Sequence, residues 1–280
     1  MNGMNALRSA LVAALGDARV KVLGESVELS PVTRGLQADF AGQVVQLPAA
    51  DAALVGVALG MAMNGDTVVV ELAGPESVPA ALQALDQAES TPHSPLRVVL
   101  RVPVAPGAID QLGVALSSVR DNVAVLAVGQ AGDAGALLTH ALQHAGPTLL
   151  VEPLEVLSAA ASGADPGDVS APVVLREGDH ASILALGPSV PAALHAADVL
   201  ASEGIGVDVI DLRGLDAVDA PVLAERMRHT GRPVLAVSVG YGRVLDAVHR
   251  HAFLRLEAPP AWAGTSADDL VRSVRTAVHF

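Results

Sequence analysis

Short runs of β-branched and aliphatic residues alternate with alanine-rich helical patterns along almost the whole chain, and this rhythm constrains the fold more than any other feature. The runs are VKVL at 20–23, VVQ at 44–46, TVVVEL at 67–72, LRVVLRV at 96–102, NVAVLAV at 122–128 and PTLLVEP at 147–153. Helical patterns fill 51–63, 77–88 and 133–144. Continuous apolar strands separated by helices are the signature of a parallel sheet covered on both faces. Residues 158–172, SAAASGADPGDVSAP, break the rhythm with Gly, Pro, Ser and Asp and read as a linker. The alternation then resumes: ASILALG (181–187), a helix at 190–203, VDVIDL (207–212), a helix at 218–228, PVLAVSV (233–239), a helix at 242–252 and a last helix at 266–278. The expected architecture is two α/β domains, 1–157 and 173–280, each a mostly parallel sheet with helices on both faces. Such lengths lie within the usual domain range.

The first twenty residues superficially suggest a signal peptide. Arg8, Ser9, Asp17 and Arg19 instead fall at helical spacing among the apolar residues, which reads as an amphipathic first helix. Mean hydropathy is positive, yet no apolar run reaches the roughly 18 residues that a membrane span needs. The net charge of −13 argues against nucleic acid, because phosphate binding needs clustered Lys and Arg. No cysteine is present. That removes disulfides and zinc–thiolate sites, and it fits a cytoplasmic location. With five aromatic residues in all (Phe40, Tyr241, Phe253, Trp262 and Phe280), the core must be built from Ala, Val and Leu.

Isolated motifs carry little chemistry. Gly240-Tyr241-Gly242 sits where phosphate loops sit, but it lacks the third glycine and a Walker lysine, so a turn is expected. His140 and His144 have the spacing of paired metal ligands without an acidic companion, and a solvated helix end is expected there. Asp51 opens the helix 51–63, in which every residue from Ala52 to Met63 is apolar or glycine. Such a helix should be buried all round, with Gly56 and Gly60 allowing another helix close. Aspartate in a first turn satisfies free backbone donors and complements the helix dipole. A cap and a catalytic acid both remain open for it on residue type alone.

Several stretches, in order, resemble the β subunit of the thiamine-diphosphate-dependent 2-oxoacid dehydrogenases, within the wider transketolase-like group. They are Val22-Leu23-Gly24-Glu25-Ser26-Val27 with Thr33-Arg34-Gly35-Leu36-Gln37, Pro48 with Gly56, Gly60 and Gly65, and Ala84-Leu85-Asp86-Gln87. Asp133 to Leu138, Gly146-Pro147 to Glu152, Val174 to Gly178, Glu203-Gly204-Ile205 and Val209 to Arg213 continue the match. The resemblance implies a pyrimidine-binding domain followed by a transketolase C-terminal domain. It implies thiamine diphosphate shared with an α-type subunit, and decarboxylation of a 2-oxo acid or transfer of a ketol or acyl unit. The alternative is a degenerate member serving as a non-catalytic assembly partner. A homodimer contact through residues 52–63 is expected.

In the family a glutamate at the start of this helix hydrogen-bonds the cofactor's aminopyrimidine and favours its activating tautomer. The matching position is Asp51, one methylene shorter, and a misplacement of about 1 Å can cost roughly 100-fold in rate. The resemblance implies Glu25, Glu71, Leu72 and Ala73 as cofactor neighbours. Two departures stand out. The family's stacking aromatics are replaced by Leu72-Ala73-Gly74-Pro75-Glu76, and the segment 103–118, where the family carries a substrate-facing histidine, has none; His93 does not match. The family's Gly-Asp-Gly motif for diphosphate and Mg²⁺ is also missing: Gly-Asp occurs at 16–17, 65–66, 132–133, 167–168 and 178–179, never followed by glycine. The metal and phosphate half of the cofactor site is therefore expected from the partner chain.

Overall fold

The computed structural model describes residues 1–48, 51–89, 96–116, 119, 122–161, 165–215, 221–236, 261–262 and 266–279. The chain divides into two compact units, Met1–Gly167 and Asp168–Phe280, with the division inside the 158–172 segment.

The first unit is built on six parallel strands: β1 (Val20–Gly24), β2 (Val44–Gln46), β3 (Thr67–Glu71), β4 (Val98–Val104), β5 (Ala124–Ala127) and β6 (Thr148–Pro153), in the order β2-β1-β3-β4-β6-β5. Its helices are α1 (Gly3–Ala14), α2 (Leu36–Asp39), α3 (Asp51–Met63), α4 (Val78–Glu89), α5 (Ile109–Leu116), α6 (Ala134–Gln143) and α7 (Leu154–Ser158). Val68, Val69 and Val70 are all fully buried, as a strand covered on both faces requires. Parallel crossovers are right-handed. The steps β2→β3, β3→β4 and β4→β5 run one way across the sheet, which puts α3, α4 and α5 on one face. The step β5→β6 runs back, placing α6 on the other face, where α1 packs against it. That packing is close at Gly135, where a Cβ would stand 2.9 Å from the Ala6 carbonyl oxygen.

Asn2 caps α1 by accepting the Asn5 N–H at 2.9 Å. The preceding residue is clasped to the end of the unit. Asn2 and Ala160 form an antiparallel bridge, and the Ala161 N–H donates to the Met1 carbonyl at 3.0 Å.

Within this chain α3 is buried on one face only. Leu54, Val55, Ala58, Leu59 and Ala62 are buried against α4 and the sheet. The opposite face carries Ala52, Ala53, Gly56, Val57, Gly60 and Met63 to the surface; Val57 is 42% exposed and Met63 47%. The expected all-round burial is therefore not reached by this chain alone, because the sheet covers only one side of the helix. Among the described residues, nothing beyond the helix's own backbone lies within 4 Å of where a Cβ on Gly56 or Gly60 would be.

The second unit holds β7 (Val173–Arg176), β8 (Ala181–Ala185), β9 (Val207–Asp211), β10 (Pro233–Ala236) and the two-residue β11 (Ala261–Trp262), in the order β11-β10-β8-β9-β7. All pairs are parallel except β7 with β9, which is antiparallel and irregular between Val174 and Arg176. The helices α8 (Val190–Ser202), α9 (Pro221–Thr230) and α10 (Ala267–Val278) cover it, and α8 and α10 pack on each other. The expected helix at 242–252 and the Gly240-Tyr241-Gly242 turn lie outside the described residues. A polar knot ties the strand starts together. The buried Asp208 carboxylate accepts the Gly178 N–H at 2.8 Å, the Ser182 hydroxyl at 2.9 Å and the Arg226 Nε–H at 3.1 Å. Gly178 has no room for a side chain, since a Cβ would fall 2.2 Å from the Val207 nitrogen.

Candidate functional site

Parallel strands in register point matching residues to the same face. Glu71 pairs with Arg101, and Pro103, two residues on, pairs with Glu152. Glu71, Arg101 and Glu152 therefore emerge side by side at the carboxyl ends of β3, β4 and β6. The Arg101 guanidinium grips Glu152 in a fork, Nε to Oε1 at 2.6 Å and Nη2 to Oε2 at 2.8 Å, and its Nη1 donates to Glu71 Oε2 at 2.9 Å. The Thr33 hydroxyl stands 3.0 Å from that same Glu71 oxygen and 2.8 Å from the Val27 carbonyl. Arg101 and Glu152 are each 2% exposed and Glu71 10%.

Burial alone would lower the Arg101 pKa, but the two carboxylates more than reverse this and hold it above its ordinary value. Burial pushes the Glu152 carboxyl up, Arg101 opposes the shift, and the Glu71 charge adds to it. These three groups form the floor of a cavity of about 290 Å³ whose walls include Met4, Leu29, Val32, Leu72, Leu154 and Leu157. Met4 and Leu157 come from α1 and α7, so the cavity opens on the α1/α6 side of the sheet.

Of the residues expected near a cofactor, Glu71, Leu72 and Ala73 all line this cavity, whereas Asp51 and Glu25 do not. Leu72 is buried and its N–H donates to the Arg101 carbonyl at 3.0 Å; Ala73 is exposed at the rim. Glu25 is exposed just beyond β1. Asp51 is half-buried in the first turn of α3, the helix on the opposite face. Glu71, Leu72 and Ala73 thus share one cavity, while Asp51 and Glu25 are not among its lining residues. Arg101 and Glu152 had a signal in the sequence: each is a charge inside an otherwise apolar strand, and a charge there must be paired. His144 turns its Nδ1 to the Gly146 backbone, 3.1 Å from both its nitrogen and its oxygen. Among the described residues no three His, Asp or Glu side chains gather as a metal site, and no helix is long and apolar enough to cross a membrane.

The comparisons fit this architecture. The profile of the transketolase C-terminal domain matches residues 171–267. A pyruvate dehydrogenase E1 component subunit beta from Leifsonia xyli is 34% identical over 280 residues, covering 90% of this chain and 81% of the relative. A 3-methyl-2-oxobutanoate dehydrogenase subunit beta from Mycobacterium tuberculosis is 30% identical over 286 residues, covering 91% and 81%. Among solved structures, a split-gene transketolase described as an inactive β4 tetramer superimposes with a TM-score of 0.80 at 22% identity, covering 100% of this chain and 98% of that one. That likeness shows a shared fold. With the two α/β units and the β-subunit relatives on record, the chain belongs to the family of E1 β subunits of the thiamine-diphosphate-dependent 2-oxoacid dehydrogenases.

Proposed function

We propose that this chain is the β-type component of a two-component enzyme acting on a 2-oxo acid, with Asp51 as the residue that holds the pyrimidine of thiamine diphosphate. The carrying observation is the position of Asp51. It is a half-buried carboxylate in the first turn of α3, where the family has its glutamate. A carboxylate there fits a protonated ring nitrogen in charge and hydrogen-bonding capacity. When bound, thiamine diphosphate supplies the carbon nucleophile that attacks the 2-oxo group. Asp51 would hold a proton at the pyrimidine nitrogen, Leu72 and Ala73 would offer apolar contact, and Glu25 and Glu71 would be polar neighbours of the cofactor. The diphosphate and Mg²⁺ half does not fit this chain, which has no Gly-Asp-Gly and, among the described residues, no oxygen-ligand cluster. An α-type subunit would supply it.

The exposed apolar face of α3 supports assembly, since its glycines leave a groove open to another helix. The relatives' names point to pyruvate or 3-methyl-2-oxobutanoate as the class of substrate. A second reading is a non-catalytic assembly partner. It is favoured by the Leu72-Ala73-Gly74 stretch without an aromatic and by the inactive state of the structural relative. Reconstitution with an α-type subunit decides between them. Turnover of a 2-oxo acid that rises with Asp51→Glu supports the enzyme; no turnover with either residue leaves the assembly role.

A further inference from the structure

The β3–β4 ladder is aliphatic until its last pair. Val68 pairs with Val98, Val69 with Val99 and Val70 with Leu100, and only Glu71 and Arg101 are charged. The three aliphatic pairs are buried and join the strands without any ion pair. A buried ion pair adds little stability that such residues could not supply, because exchanging one for well-packed apolar side chains often costs none. What it adds is a fixed geometry. Here it is added at the carboxyl edge, where open parallel α/β sheets bind their ligands. Arg101 ties that edge together. Its guanidinium is forked onto Glu152 of β6 and bonded to Glu71 of β3, and its carbonyl accepts the Leu72 N–H at 3.0 Å. The same Glu71 oxygen meets the Thr33 hydroxyl, which also reaches the Val27 carbonyl, so the segment after β1 is held at the same point. At 2% exposure the Arg101 side chain has almost no surface for a ligand, and it acts through its neighbours.

We propose that Arg101, acting through Glu71 and Thr33, is a positioning residue for the cofactor. It fixes the exit of β3 and the segment from Val27 to Thr33, and so holds Leu72 and Ala73 where they can meet the pyrimidine. This rests on the reading of Leu72 and Ala73 as cofactor neighbours under the proposed function. Leu72 directly follows Glu71, so a shift at Glu71 moves the Leu72–Ala73 backbone with it. Three substitutions probe the chain of contacts. Arg101→Lys keeps the positive charge but loses the planar fork. Thr33→Val keeps the shape of the side chain but loses the hydroxyl, which Thr33→Ser retains.

The test uses the full chain reconstituted with an α-type subunit, and it reads the calorimetric affinity for thiamine diphosphate with Mg²⁺ well below the melting temperature. Arg101→Lys and Thr33→Val should each weaken that affinity about tenfold, as loss of a supporting partner does at other sites, and Thr33→Ser should bind as the native complex does. In the chain by itself, amide hydrogen exchange followed by NMR should quicken about tenfold at Leu72 in Arg101→Lys and stay unchanged at Val70. A tie that serves stability alone would lower the melting temperature and leave cofactor affinity where it was. Native affinity in Arg101→Lys would therefore overturn the inference while leaving the catalytic reading in place, as would unchanged exchange at Leu72. If Arg101→Lys does not fold, the comparison of Thr33→Val with Thr33→Ser decides in the same way. A native complex that shows no turnover, but whose variants lose cofactor affinity as stated, would remove the catalytic reading and keep the inference. A native complex that takes up no cofactor would overturn both.

Discussion

Arg101 is the residue on which the first unit's charged interior depends. Removing one partner of a buried ion pair leaves an uncompensated charge and costs about 3–5 kcal/mol, so Arg101→Met should lower the unfolding midpoint by roughly 10 °C. Adding Glu71→Gln and Glu152→Gln should recover most of that loss in thermal melts. Glu152 also sets a pH dependence. Its folded pKa lies above the ordinary value of 4.5, so the folded state holds this proton more tightly than the unfolded chain. The stability it contributes is present below about pH 4.5 and is lost as pH rises through the elevated value. Urea unfolding from pH 4.5 to 7 should show a downward slope in the native protein that Glu152→Gln lacks; an upward contribution would contradict the assignment. At Asp51 the cap and the cofactor partner separate cleanly. Asparagine caps about as well as aspartate, so Asp51→Asn should leave the melting temperature in place. Loss of an orienting carboxylate should cut turnover of the reconstituted complex by about 10⁴-fold. A fully active Asp51→Asn complex would leave only the helix cap.

The elements show which sequence signals were sufficient. The strands of the first sheet were legible because a strand buried on both faces is a continuous aliphatic run, and the helix 51–63 coincides with α3. β7 was hidden: it is an antiparallel strand of half-buried residues with an irregular register, straight after a linker. The eight residues of α5 fall where only a departure from the family pattern was visible, and α2 and α7 are too short for a period to register. The site was less legible than the fold. Its strand-end charges announce that pairing is needed but not with whom, since register between distant strands is a property of the folded sheet. The two faces of α3 can be told apart by the same substitution. Val57→Lys places a charge on the exposed face and should abolish association in sedimentation runs while leaving circular dichroism unchanged. Val55→Lys, at a fully buried position, should unfold the unit. Unaltered association of the Val57 variant would remove α3 from any interface.

At the scale of the whole molecule, the chain has a transketolase-like fold but no Gly-Asp-Gly motif for diphosphate and Mg²⁺. The isolated chain should therefore bind thiamine diphosphate and Mg²⁺ no more tightly than millimolar by calorimetry, and micromolar binding without a partner would contradict that. The same scaffold carries the clasp between Met1 and Ala161, with Asn2 bridged to Ala160. Because the path of the first unit returns to its own starting point, the unit is almost a closed ring, and the order in which its elements are strung is exchangeable. Joining residue 161 to Met1 through a short peptide costs little loop entropy. The ring can then be reopened at the exposed turn at Gly107, whose φ of +80° suits glycine. A permuted unit beginning with α5 and ending with β4 should still melt cooperatively, its sheet assembled from the same strands counted from a different first one.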